Sequence, residues 1–567
     1  VSGAGTPLTN MSGSGLPVVG LNSLLKQGTQ HFEGTNEAVQ QNVNACVELA
    51  KLTRSSMGPN GMFKIVLNHL EKLFVTKSAS TIVSELEVTG GAAKILIMAA
   101  QNQAMESGDA TNLVISLGGA LLGGAGELLR QGVVAADIVE GFEMALAKII
   151  ETLPKLVVAS TGDFHNKESL LQIIRPVFMA KHIDYTDNIA PLIAEAVAMI
   201  MPKNPEDLVP ESVRVACLHG KSVADSVVVK GMVLPSGKAH PCAGVVESVE
   251  DAVIAMYSCP LEIDTTETKG TVLLENADEL MSFSKNEEAV YKERVEALAA
   301  MGVNFLVSQG KAHELLVHFC DKVGIMVVEV HSKFEMQRIA KSVGAKLQIR
   351  FKQPTERHLG RCARAFVQEI GEKHCVVLHA KDREDGSAGI ATIVVRAASE
   401  ALLRDINTAI ASTVQVVKAQ TRDPRMLPGA GATEMALSCE LQRLADECEG
   451  LEQYAITAFA EALQIVPEIL AETSGLDSKD VLTKLRSLHM PSESAELGAF
   501  DMGVDIDATH PSKACRSATE MGVYDGYTAK DWAMRMACDA ACTVLRIDMV
   551  IMLKQSGGPA PRTGNQN

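Results

Sequence analysis

Ser107-Gly108-Asp109-Ala110-Thr111-Asn112 is the stretch on which the reading of this chain turns. It stands between a helical pattern running from about Val88 to Glu106 and an apolar run that begins at Leu113. A loop that passes straight into a helix leaves backbone N–H groups unpaired at the positive end of the helix dipole, where anions bind. Thr111 and Asn112 add side-chain donors, and Asp109 adds a carboxylate able to hold a metal ion. The set suits a magnesium-bound polyphosphate. The same residue types also make ordinary helix caps, so the loop gains meaning only from partners elsewhere in the chain.

Three such partners are present. Gly58-Pro59-Asn60-Gly61 follows a helix expected over Asn42–Met57 and would place several amides in a concave turn. The alternative is a plain helix-terminating turn. Leu427-Pro428-Gly429-Ala430-Gly431-Ala432-Thr433-Glu434 is a Gly-rich turn leading into a helix. In Gly522-Val523-Tyr524-Asp525 a carboxylate follows a turn and could take ribose hydroxyls. Each is unspecific alone; together they occupy both helical blocks of the chain.

The 567 residues allow about three to five domains with ample core. A hydrophobic content of 47% with 4% aromatics points to cores of Val, Ile, Leu, Ala and Met, with Trp532 the single tryptophan. The net charge of −17 argues against nucleic acid and anionic membranes as partners. The 12 cysteines include no C-x-x-C pair, and Cys538 and Cys542 read as one buried helix face, which fits reduced thiols in the cytosol. No targeting signal or membrane span is expected. The apolar run Leu113–Gly126 is too short for a span and reads as a buried helix. Residues 1–24 and 557–567, rich in Gly, Ser, Thr, Pro or Asn, are expected to be disordered tails.

Patterns are mainly helical to about Val158: Ser80–Glu87, Gly91–Glu106, Asn112–Gln131 and Ala135–Thr152, with a hairpin of Ile65–Leu67 and Leu73–Val75 closed at Asn68-His69. Helices near Lys167–Met179 and Asn188–Met201 follow, then extended Val213–Leu218 and Val227–Val229. From about Ala252, strands at 252–257, 303–307 and 324–330 alternate with helices at 287–301, 312–322 and 333–343, the mark of an α/β unit. Strands return at 374–379 and 390–396, and after Ser399 the chain is mainly helical through Val550. Helical ends around an α/β middle imply nested domains.

Taken in order, these segments resemble the group II chaperonins over about Leu24 to Gly558. Asn68–Thr76, Thr265–Leu273 and Gly450–Ile456 resemble one subunit type of the eukaryotic cytosolic chaperonin. The resemblance implies a multidomain α and α/β chaperonin fold. Its parts are a discontinuous helical equatorial ATP-binding domain (25–158 and 412–556), a small intermediate hinge domain (159–222 and 380–411) and an inserted apical domain (223–379). The apical domain would carry a lid protrusion at about 269–289, with Met281 and Phe283 on it. The resemblance further implies ATP/ADP and Mg²⁺ as cofactors and a double ring of sixteen subunits of eight kinds, so seven paralogous partners. Ring closure would enclose unfolded, actin- and tubulin-like clients. Gly58, Pro59 and Gly61 match the first phosphate loop, and Gly108, Asp109, Ala110, Thr111 and Asn112 the second, with Asp109 at the metal position. Ala430 and Gly431 match the turn under the nucleoside, Asp525 the ribose acid, and Lys181 a lysine that senses the phosphate end.

Two departures bear on chemistry. In Thr76-Lys77-Ser78-Ala79-Ser80-Thr81, Ser78 stands where the family carries an aspartate. Ser412, seventeen residues before Gly429, stands at the family's water-activating aspartate. A serine hydroxyl is no base near neutral pH, and losing a general base typically costs ~10²–10⁴ in rate. Asp109 remains for the metal and Lys77 could add charge near the γ-phosphate, so a subunit that binds nucleotide and hydrolyses it poorly is expected. A structural, asymmetry-setting subunit with static nucleotide is the alternative; a free-standing kinase or ATPase is disfavoured because no G-x-x-x-x-G-K-[ST] appears. Ala110 and Ala430 replace family glycines, which is mild for Ala110 if its dihedrals are helical and weakens binding at Ala430 if φ is positive. Client contacts are expected on the helix Lys311–Lys322, through His313, Leu316, His318 and Asp321.

Overall fold

The computed structural model describes residues 30–552 apart from 33–34, 69, 89, 236–241, 263–276, 371–372, 381–388, 491–498, 511–512 and 549, with side chains also left out at 30–38, 277–287 and 550–552. Both expected tails, the lid segment 269–276, and the side chains of Met281 and Phe283 lie outside the described residues.

Both ends of the chain build the largest core. In the helix Ala135–Thr152, Ile138, Phe142, Ala145 and Ile149 recur at helical spacing and are all buried. Phe142 meets Phe459 edge-on at 5.7 Å, joining this helix to Glu452–Leu463 across more than three hundred residues of sequence. Thr111–Arg130 lies in the middle, so apolar that most of its residues are buried. It matches the helix expected over Asn112–Gln131 to within a residue at each end. By length and composition it and Glu452–Thr473 could each cross a bilayer, yet 67% and 61% of their apolar windows are covered by the protein itself. Cys538 and Cys542 sit buried in the helix Tyr527–Leu545, sulfurs 3.9 Å apart. Gln30–Phe32 pairs antiparallel with Val550–Met552.

The middle of the chain forms one eight-stranded sheet in the order 213–219, 391–397, 227–235, 373–380, 360–370, 248–257, 305–308, 326–329. Strand Val227–Pro235 is shared: its first half pairs with Ala391–Val394 and its second with Cys375–His379. Gly231 sits at the handover with φ +132°, and a Cβ there would stand 1.9 Å from the Leu378 carbonyl, so no other residue fits. Alternate residues of Ser248–Tyr257 face different cores: Ile254 and Met256 pack with Met336 and Ile339, whereas Ala255 and Tyr257 pack with Tyr291 and Leu316. A separate core joins Lys167–Met179 and Thr186–Ile200 to strand Ala391–Ala397 and the helix Glu400–Arg422, which runs unbroken through residues 411 and 412.

Several expected elements shift. The first helix spans Thr35–Arg54, not Asn42–Met57. The hairpin Lys64–Leu67/Leu73–Thr76 is closed by residues 68–72 rather than by a tight Asn68-His69 turn, because Asn68 Oδ1 accepts from the N–H groups of Leu70 and Lys72. The helix expected from Glu287 begins at Ala277. Strand Gly360–Ile370 escapes the sequence pattern because a bulge between Cys362 and Arg364 throws its alternation out of phase.

Candidate functional site

One cavity of ≈ 300 Å³ gathers segments from across the chain: 56–59, 77–80, 108–113, 176–181, 408 and 412, 430–431, 504–506 and 521–530. Of the fifteen residues singled out in the sequence, fourteen line it; Gly61 does not. Gly61 instead closes the first loop from outside, its N–H donating to the Gly58 carbonyl at 3.1 Å.

One wall centres on Asp109. The preceding Gly108 has φ +74°, and a Cβ there would stand 2.5 Å from the Ser412 carbonyl, so the loop lies directly on the helix Glu400–Arg422. Burial pushes the Asp109 carboxyl up from the usual range, against the pull of Lys181 and the Ala110 N–H. Lys181 is equally enclosed: burial lowers its ammonium, while Asp109 and Asp405 work to keep it charged. Its Nζ donates to Ser412 Oγ, and that hydroxyl donates in turn to the Thr408 carbonyl, 2.9 Å away in its own helix. Ser412 is thus fully engaged. Ser78 is the N-cap of the helix Ala79–Glu85 but makes no side-chain cap bond. Lys77, expected to face a terminal phosphate, spends a bond on the Pro59 carbonyl at 2.8 Å and lies over the Phe63 ring. Burial lowers its ammonium, with Asp184 and Asp405 opposing. Asn112 turns from the loop, donating to the Thr53 carbonyl at 3.2 Å and tying its helix to the first.

The opposite wall is a small antiparallel sheet in which Arg425–Pro428 pairs with Tyr524–Gly526, setting Leu427 opposite Asp525. Four-residue and shorter strands carry too little periodicity to be seen in a helical background. Ala430 has φ +55° and Ala110 φ +62°, so neither alanine has helical dihedrals. Val466, Leu470, Val504, Ile506, Met521 and Val523 supply an apolar lining that the loops alone do not reveal.

Sequence reading also missed Gln103, behind the cavity, and Lys530, in its lining. Gln103 is buried and donates to the carbonyls of Asp109 and Ala529, bridging the two walls. Lys530 pairs with Glu434 and lies 3.0 Å from Asp525. Burial works against its charge, but the two carboxylates outweigh it and hold the ammonium above the usual lysine range. A lysine in the first turn of a helix opposes the dipole, which is the signal the sequence offered. Away from the cavity, the expected client face lies on the helix Glu314–Val323, where Leu316 is buried and His313, His318 and Asp321 keep some exposure. His313 caps the helix and stacks on Tyr291, and Asp321 accepts from the Val245 N–H.

A model of the TCP-1/cpn60 chaperonin family matches residues 49–555. This chain belongs to that family. It is 41% identical over 552 residues to T-complex protein 1 subunit theta of Caenorhabditis briggsae, covering 97% of this chain and 98% of that protein. The human protein of the same name is 41% identical over 548 residues, covering 97% of each. That of Gallus gallus is 40% identical over 548 residues, again covering 97% of each. Helical cores built from both ends around an inserted sheet are the chaperonin fold, and the cavity lies where the chaperonin's chain ends meet its middle.

Proposed function

We propose that the cavity is the nucleotide site of a theta-type chaperonin subunit that binds ATP with magnesium and cleaves it slowly or not at all. The chain is a chaperonin subunit, and such chains work in assemblies with other subunits. The reading extends this to a cytosolic double ring of sixteen subunits closing on actin- and tubulin-like clients. Residues 25–158 with 412–556 would form the equatorial part, 159–222 with 380–411 the hinge, and 223–379 the apical part.

The observation that carries the reading is the carboxylate inventory. Among the described residues, Asp109 and Asp525 are the acids lining the cavity. Asp525 is engaged by Lys530. Asp109, in the turn before the helix Thr111–Arg130, suits one carboxylate of a magnesium ion otherwise held by phosphate oxygens and water. Bound there, the ion would neutralise charge on the transferring phosphoryl group. The amides of Gly58, Asp109 and Thr111 would hold phosphate oxygens, Lys181 and Lys77 would add positive charge, and the apolar lining would receive the base. With both acids occupied, no carboxylate among the described lining residues would be left to take the proton of an attacking water, and the Ser412 hydroxyl already donates into its own helix.

The test is single-turnover hydrolysis by this subunit in the assembled ring, read by nucleotide analysis after rapid filtration. Bound ATP that persists while aspartate-bearing subunits convert theirs supports the reading; conversion at their rate refutes slow cleavage. Complete retention over many ring cycles would favour the static, asymmetry-setting role.

A further inference from the structure

Lys530 is 7% exposed and sits in the first turn of the helix Tyr527–Leu545, where the dipole disfavours a cation. Its ammonium touches Glu434, whose side chain is fully buried and whose Oε2 has no hydrogen-bond partner. It also lies 3.0 Å from Asp525 Oδ2. Replacing buried ion clusters by apolar residues is often neutral or stabilising, so stability does not account for this one. The backbone of Asp525 is already fixed by pairing with Leu427, and Gly429 lies close against its Oδ2. What the backbone leaves free is the carboxylate rotamer, and Lys530 holds it. A carboxylate has about four acceptor positions, so one bond to lysine leaves Oδ1 and part of Oδ2 available.

We infer that Lys530 is a positioning residue that aims the Asp525 carboxylate at the vicinal hydroxyls of a ribose and so sets a preference for ribonucleotides. Glu434 holds Lys530 from the other side. The inference rests on the nucleotide reading above, with Asp525 as ribose acceptor.

The experiment is photolabelling of this subunit in the assembled ring with 8-azido-ATP, competed by ATP, 2′,3′-dideoxy-ATP or inorganic tripolyphosphate. With the wild-type subunit, dideoxy-ATP is expected to compete about tenfold less well than ATP, the loss of a charge-assisted hydrogen bond. In Lys530→Met the ratio falls toward one while tripolyphosphate competes as before, and Lys530→Arg restores part of the difference. Lys530→Met leaves Glu434 buried without a cation, so Lys530→Met/Glu434→Leu, which removes both charges, is measured beside it and is expected to show the same collapsed ratio. A tenfold ratio that survives in the double variant overturns the inference and leaves the nucleotide reading intact. A wild-type subunit that takes no label overturns both.

Discussion

On one wall of the cavity Ser78 and Ser412 present hydroxyls, with Lys181 and Lys77 turned onto protein oxygens; on the other, Asp525, Lys530 and Glu434 form a tightly paired ion cluster. The walls share a build, a Gly-rich turn running into a helix with a left-handed alanine in the turn. They differ in what their charges are free to do. Where a nucleoside would rest, the carboxylate is held in place and its lysine is saturated. Where phosphates would rest, Asp109 is the acid of that wall among the described residues, and the hydroxyl nearest Lys181 already donates to the Thr408 carbonyl. A site selected to cut needs its pliable chemistry at the phosphate end, and this one keeps its precision at the other.

The comparison is broken most forcefully by returning acids to the first wall. Ser78→Asp with Ser412→Asp is expected to raise single-turnover hydrolysis by this subunit by ~10² or more, the scale of a general base. The carboxylate introduced by Ser412→Asp would meet the Lys181 ammonium directly, and that introduced by Ser78→Asp would supply the cap bond that Ser78 does not make. Unchanged hydrolysis would mean that the wall lacks something besides its acids. Asp109→Asn tests the remaining acid. Loss of an outer-shell partner costs ~10–100-fold in metal affinity, and loss of a ligand should cost at least as much. ATP binding measured with and without magnesium should therefore become nearly metal-independent. The same variant should melt higher without nucleotide. A carboxyl whose pKa is raised by burial is strained when ionised, so at neutral pH it subtracts from stability and its amide does not.

Much of this contrast was visible in the chain before its folding. Glycines and one acid before a helix mark the loops, because a phosphate-binding turn needs small residues whatever lies around it. That is why Gly58, Gly108, Gly431 and Asp525 meet at one cavity. The long helices were legible for a similar reason: Ala135–Thr152 repeats its apolar residues along its whole length. What stayed hidden depends on distant partners. Lys530 reads as a solvated lysine until Glu434 is found beside it. Lys77 lines the cavity, but its bond to the Pro59 carbonyl cannot be read from the sequence. On the helix Glu314–Val323, the stacking of His313 on Tyr291 and the bond from the Val245 N–H to Asp321 are likewise invisible in the sequence. Register also hides easily: one bulged residue conceals the strand Gly360–Ile370.

The smallest expected effect separates the two left-handed alanines. A non-glycine residue in this region is disfavoured by roughly 1–2 kcal/mol, which glycine avoids at a chain-entropy cost of about 0.5–1 kcal/mol. Relief alone should make both Ala→Gly changes mildly stabilising. Their methyl groups, however, do different things. That of Ala110 packs against the large helical core, and burying one such group contributes about 0.8 kcal/mol, enough to cancel the relief. That of Ala430 faces Gly503, whose missing Cβ leaves room for it (an added one would stand 2.8 Å away), and it belongs to no core cluster among the described residues. Ala430→Gly should therefore raise the stability of the nucleotide-free subunit by about 0.5–1 kcal/mol in thermal melts, while Ala110→Gly leaves it within error. Equal gains at both positions would show that backbone strain alone governs these turns, and that the two walls are less different than their side chains suggest.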